Sequence, residues 1–358
     1  MKHLYYISFI IVILLGCHPS QQKIEQITTI DSTMQVNTTS ILENKLSEIN
    51  ALSGQVIIME VQTGQIKTLV GLTKKDSANY QPCKNFSVQR PTSLMHPISL
   101  LAALETGKVN LSDKVNVGSG IYSVHGRELK DHNWQRGGYG EITIEQGLAC
   151  SSNIAIYKAM EIAFGNTPQS YFDLLAKMNY GKPDSITGIA NLKPAYFITP
   201  KNENWNNTAF AWFSIGYNQL ISPIQTLTFY NAIANNGKMV QPLLYQDSTV
   251  VINPQIASRA SIDSLKRALL YNITDGLGKP AYSDKVKIAG MQGTIQVSEQ
   301  DDNTEDKINT EYTVEFCGYF PTNNPKYTII VSINKTGLPV SGSLMAGDTF
   351  RQIVDTLY

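Results

Sequence analysis

The chain has 358 residues, 42% of them hydrophobic and 16% charged, with 29 basic side chains balancing 29 acidic ones. That length holds one large or two ordinary domains, and the apolar content fills a sizeable core, which excludes a disordered chain. A zero balance with no basic stripe and no interleaved aromatics excludes nucleic acid as a partner.

Lys2 and His3 precede an apolar-aromatic run from Leu4 to Leu15. The run is too short to span a bilayer and fits the core of a signal peptide. It ends in Leu14-Leu15-Gly16-Cys17, which resembles the bacterial lipobox, where cleavage before the cysteine accompanies lipidation of its thiol. The expectation is a signal peptide over residues 1–16 and a lipid on Cys17 that holds the protein on a membrane of the cell envelope, facing the periplasm. The other cysteines, Cys83, Cys150 and Cys317, are odd in number and widely spaced, so no disulfide framework is indicated. None shows the His/Cys spacing of a metal site, and neither a metal nor a cofactor is expected.

From His18 to about Leu42 the chain is rich in Gln, Ser and Thr, which predicts a flexible tether over residues 17–45 and a folded domain over 46–358. Gly54 to Leu72 gives two β-rich runs around Gln62-Thr63-Gly64, a hairpin signal. The stretch PTSLMHP, Pro91 to Pro97, leads into a helix in which Leu94, Ile98 and Leu101 share a face and Gly107 can close the end. Thr143 and Gln146 stand in capping-box positions before a helical run that breaks at Ser151-Ser152 and stops at Gly165. Ser222, Pro223, Gln225 and Gly237 repeat the same grammar. Three strands follow in the C-terminal third, then a helix with Ala346, Phe350, Ile353, Val354 and Leu357 on one face. Together these predict an α+β fold, an antiparallel sheet packed with helices.

Ser93 and His96, three residues apart, share a helical face, so a hydroxyl and a neutral imidazole base can approach each other. The bland alternative is a serine capping the helix beside a half-exposed histidine. His125 and His132 sit in no motif. Val297 to Glu311 holds six acids but lacks the central glycine of a calcium loop, and reads as a solvated loop.

Taken in order, three segments resemble the transpeptidase domain of class B penicillin-binding proteins, closest to the division-specific type. PTSLMHP stands where that family has Ser-x-x-Lys, SSN at Ser151 to Asn153 where it has Ser-x-Asn, and AGMQGTIQ at Ala289 to Gln296 where it has Lys-Thr-Gly. The flanks GGYGEITIEQGLACSSN, WFSIGYNQLISPIQTLTFYNAIANNGKMVQP and FCGYFPTNNPKYTIIV also resemble family sequence, over roughly Leu52 to Tyr358. The resemblance implies the penicillin-binding-protein/β-lactamase-like fold, Ser93 as nucleophile, and Ser151 and Asn153 beside it. It also implies an oxyanion hole from the backbone N–H groups of Ser93 and Thr294. The family's proton-shuttling lysine is His96 here; its carboxylate-binding lysine and threonine are Met291 and Gln292, followed by the retained Gly293 and Thr294. Stem peptides of peptidoglycan, β-lactams, and cell-wall or division proteins are the implied partners. Two readings follow: a non-catalytic or weakly active homologue that serves peptidoglycan synthesis by binding, or an active serine D,D-transpeptidase with Ser93 as nucleophile and His96 as base.

Overall fold

The computed structural model describes residues 27–77, 79–83, 89–190, 192–297 and 310–358. Cys17 with its leader, and the acidic stretch over 298–309, lie outside the described residues. Among the described residues no helix is long and apolar enough to cross a membrane.

The β-branched runs of the sequence form one six-stranded sheet. Its strands are β1 (Ser53–Glu60), β2 (Ile66–Lys74), β3 (Tyr80–Pro82), β4 (Ala289–Gln296), β5 (Glu311–Phe320) and β6 (Tyr327–Thr336). They lie in the order β4-β5-β6-β1-β2-β3, and every neighbouring pair is antiparallel. The first and last thirds of the chain therefore meet at β1 and β6, and β4 is left as an edge.

Alternation along each strand supplies two apolar faces, and each is covered. On one side Ile57, Met59, Met291, Cys317 and Ile330 face a block of helices. That block contains α2 (Met95–Glu105), α3 (Ile144–Ala149), α4 (Asn153–Phe164), α5 (Pro168–Lys177), α6 (Ala209–Ser214), α7 (Pro223–Ala234) and α8 (Arg259–Thr274). On the other side Val56, Ile58, Phe316 and Val331 meet two helices from the chain's ends, α1 (Ser32–Glu48) and α9 (Asp348–Asp355).

Helix α1 departs from the expected tether. Asp31 caps it by accepting from the Met34 N–H at 2.9 Å, and Met34, Thr38, Leu42, Lys45 and Leu46 are buried along one face. Lys45 pairs with Asp348 at the start of α9 at 2.9 Å. Even Thr29 is tied in, its hydroxyl donating to the carbonyls of Ile66 and Leu243 at 2.8 and 2.9 Å. The folded body therefore begins by Thr29, and the α1 stripe covers the sheet although two of its five buried residues are Thr38 and Lys45.

The local signals behave as their chemistry dictates. Both capping boxes form, Thr143 with Gln146 at α3 and Ser222 with Gln225 at α7. Between α3 and α4 the chain turns sharply at Ser151, whose φ of +52° is in the left-handed region. Before α9, residues Gly342–Gly347 form a π-helical turn that passes beside β4.

Candidate functional site

Four segments converge on a cleft of about 300 Å³. Ser93 comes from the turn that opens α2, Ser151 and Asn153 from the α3–α4 junction, and Gln292, Gly293 and Thr294 from the edge strand β4. The fourth wall is the segment over 340–343.

Gly293 decides how closely β4 approaches the serine. A methyl group there would overlap Thr92 Oγ1 and lie 2.9 Å from the Ser93 nitrogen. Only hydrogen fits, so the strand presses against the backbone of the turn. Gly342 packs on the backbone of Gly293 in the same way, and its N–H donates to Thr294 Oγ1 at 2.9 Å. These contacts bring the Ser93 and Thr294 backbones to one cleft, the arrangement an oxyanion hole needs.

The serine does not cap its helix. The N-cap position is Leu94, without a side-chain cap, and it is Thr92 Oγ1 that accepts the Leu94 N–H, at 3.3 Å. Thr92 in turn donates to Glu315 on β5 at 3.0 Å, and Gln89 donates to the same carboxylate at 2.6 Å. Glu315 is fully buried, and burial lifts its carboxyl to about 7 against the hydrogen bonds that hold it down.

His96 is not in the cleft. Its side chain is completely buried, and neither ring nitrogen has a hydrogen-bond partner. Burial pulls its pKa down to about 4, and the nearby Asn153 amide only partly opposes this. The imidazole is therefore neutral at physiological pH and makes no hydrogen bond to the hydroxyl it was expected to serve. Met291 is likewise fully buried, opposite Cys317 on the inner face of the sheet, so it does not fill the carboxylate site. Strand alternation sends Met291 into the core and leaves Gln292 at the cleft wall.

Three polar elements of the site carry no motif and were not singled out in the sequence. Asp131 accepts from Ser152 Oγ at 2.7 Å and from the Ile154 N–H at 3.1 Å, which fixes the start of α4. His132 lines the cleft and shares a 2.8 Å hydrogen bond with the Tyr139 hydroxyl. Its pKa is lowered by burial and then by Arg136, so this ring too is neutral near pH 7. Asn272 on α8 holds Gln292, donating to its Oε1 at 2.8 Å. Cys150 lies beside them, but burial and the Asp131 charge push its thiol up to about 12, which excludes a thiolate. Among the described residues no group of three or more His, Cys, Asp or Glu side chains is placed to hold a metal.

Comparison with known proteins places this geometry. The model of the penicillin binding protein transpeptidase domain matches residues 54–355. The chain is 26% identical over 346 residues to the Probable peptidoglycan D,D-transpeptidase PbpC of Pseudomonas aeruginosa, covering 91% of this chain and 57% of that protein. It is 24% identical over 348 residues to the peptidoglycan D,D-transpeptidase FtsI of Escherichia coli, covering 89% and 55%. The chain thus spans little more than half the length of these two relatives. The apo transpeptidase domain of Burkholderia pseudomallei penicillin-binding protein 3 has the same fold, with a TM-score of 0.77 at 23% identity over 95% of this chain and 97% of that one.

Proposed function

The chain belongs to the penicillin-binding-protein transpeptidase family, and from that premise we propose that it is a cell-envelope lipoprotein of peptidoglycan synthesis that binds stem peptides in its groove and transfers acyl groups slowly or not at all. The observation that carries this reading is the burial of His96, which leaves Ser93 with no proton acceptor at the position where the family has its lysine.

A serine hydroxyl is a weak nucleophile until a neighbour takes its proton. A positioned base contributes about 10²–10⁴-fold. Met291 contributes no charge in exchange, and each charge-assisted hydrogen bond removed with the family's lysine weakens the hold on a carboxylate by roughly 1.5–3 kcal/mol. The backbone donors of Ser93 and Thr294 survive these changes, so the groove keeps the means to hold a peptide carbonyl while lacking the base that the family has at the lysine position. The rival reading, with Ser93 activated by His96, needs the ring at the hydroxyl, and no contact between the two supports it.

The test separates binding from turnover. A synthetic stem pentapeptide ending in D-Ala-D-Ala is expected to shift the amide resonances of Ser151, Asn153 and Thr294 while releasing no D-alanine above the buffer rate. Repeated release of D-alanine that is lost on Ser93→Ala would refute the proposal.

A further inference from the structure

We infer that Glu315 is a positioning residue for the turn that carries Ser93, and that its ionised carboxylate, acting through Thr92, holds the Ser93 backbone against strand β4. Glu315 is buried and is not among the residues that line the cleft, so it acts without touching a ligand. Its effect on binding rests on the reading above that the groove holds a peptide carbonyl.

Glu315 stands on β5 between Gly293 of β4 and Ser332 of β6. Alternation turns its side chain to the face of Cys317, toward the helix block. There its two oxygens hold both ends of the segment over 89–92: Oε1 accepts from Gln89 Nε2 at 2.6 Å and Oε2 from Thr92 Oγ1 at 3.0 Å. Gln89 is itself pinned to Ile221 by two backbone hydrogen bonds of 2.9 and 2.8 Å. Thr92 passes the hold to the turn, since its hydroxyl accepts the Leu94 N–H at 3.3 Å and its carbonyl the Met95 N–H at 3.1 Å. Gly216 packs on the same residue, where an added methyl would lie 2.7 Å from the Thr92 carbonyl oxygen. Ser93 lies between these fixed points, with its nitrogen against Gly293.

The strength of that hold depends on charge. A hydrogen bond to an ionised carboxylate is roughly twice as strong as one to a neutral carboxyl. A proton on Glu315 also places an O–H among groups that already donate to it, so the hydrogen bonds must rearrange. The titratable groups that feel this charge are Tyr180, Tyr230 on α7 and Cys317 on β5, and burial raises all three well above their usual values, so they are uncharged at neutral pH. His96 on α2 is uncharged there as well. Arg90, next to Gln89 in the chain, reaches the Val297 carbonyl at 3.4 Å. Burial opposed by the hydrogen bonds of Thr92, Ser332 and Gln89 sets Glu315 at about 7. The carboxylate therefore forms, and the turn tightens, as pH rises through neutrality.

The experiment follows the amide resonances of Ser93 and Leu94 in the full chain, in detergent micelles, from pH 6 to pH 8.5. Glu315→Gln and Thr92→Val, with folding verified by their melting temperatures, are measured beside it. Both resonances are expected to move with a midpoint near 7 in the unsubstituted chain and to stay still in Glu315→Gln. Thr92→Val keeps the charge but removes the hydroxyl through which it acts, and should lose most of the movement. Isothermal titration with a stem pentapeptide ending in a carboxamide, whose uncharged end avoids direct repulsion by Glu315, should show roughly fivefold tighter binding at pH 8 than at pH 6. His132 titrates in every variant, so the difference between the unsubstituted chain and Glu315→Gln is the reading. Resonances that do not move, or that move equally in Glu315→Gln or Thr92→Val, overturn the inference whatever the peptide does. An affinity that responds to pH equally in Glu315→Gln overturns the effect on binding. No binding at either pH overturns the groove reading alone, because the resonances decide the role of Glu315 without a ligand.

Discussion

His96 and Glu315 are buried titratable groups with opposite pH signatures. The native chain keeps His96 neutral down to about pH 4, whereas the unfolded chain takes up that proton near its ordinary value of about 6.5. Between those limits the unfolded state binds more protons, so this residue removes stability as pH falls, by about 3 kcal/mol in all. Glu315 keeps its proton up to about 7 in the native chain, while the unfolded chain releases it near the usual carboxyl value of about 4.3. Its term removes stability as pH rises through that window, again by about 3 kcal/mol. The two slopes oppose each other and nearly cancel from about pH 4.5 to 6.5, and single substitutions should uncover them. His96→Leu is expected to raise the melting temperature more at pH 5 than at pH 7.5, and Glu315→Gln more at pH 8 than at pH 5. Identical gains at both pH values would show that these groups do not titrate as their burial dictates. The burial of His96 has a sequence cause that its spacing from Ser93 hides. In α2 every residue from Met95 to Ala103 is buried, so the helix has no open face on which an imidazole could stand.

At the scale of elements, the account turns on how α1 and β4 pack. Leu42→Ala or Leu46→Ala in α1 should cost about 2–5 kcal/mol in urea unfolding, the range for a buried leucine. A tether would give less than about 0.5 kcal/mol, the usual surface effect. Gly293→Ala should cost about 1–3 kcal/mol, because the added methyl displaces Thr92 and the Ser93 turn from the strand. Elements whose signals are local were legible beforehand: the two capping boxes, the break at Ser151-Ser152 and the hairpin of β1 and β2 all rest on residues within a few positions of one another. Helix α1 was not, because Thr38 and Lys45 interrupt its apolar stripe and only the distant sheet and α9 account for their burial.

Over the whole molecule, the order of the three motif segments was enough to foresee that Ser93, Ser151, Asn153 and β4 would meet, since the fold brings the first and last thirds of the chain together in one sheet. The sequence did not reveal which side chains would reach the cleft. Met291 and Gln292 are adjacent in the chain and part ways at the strand, one into the core and one to the wall. The partners that orient the wall lie 20 and 21 residues away, Asn272 for Gln292 and Asp131 for Ser152, and no local pattern announces them.

The central proposal is that Ser93 lines a peptide groove with no base at the position of the family's lysine. Intact-mass spectrometry of the folded chain after prolonged incubation with several β-lactams, beside a Ser93→Ala control, tests it most directly. The account predicts an unmodified mass for both proteins, or at most a trace adduct on the unsubstituted chain that grows over hours. A rapid stoichiometric adduct that is absent from Ser93→Ala would contradict it and show that another group takes the serine's proton.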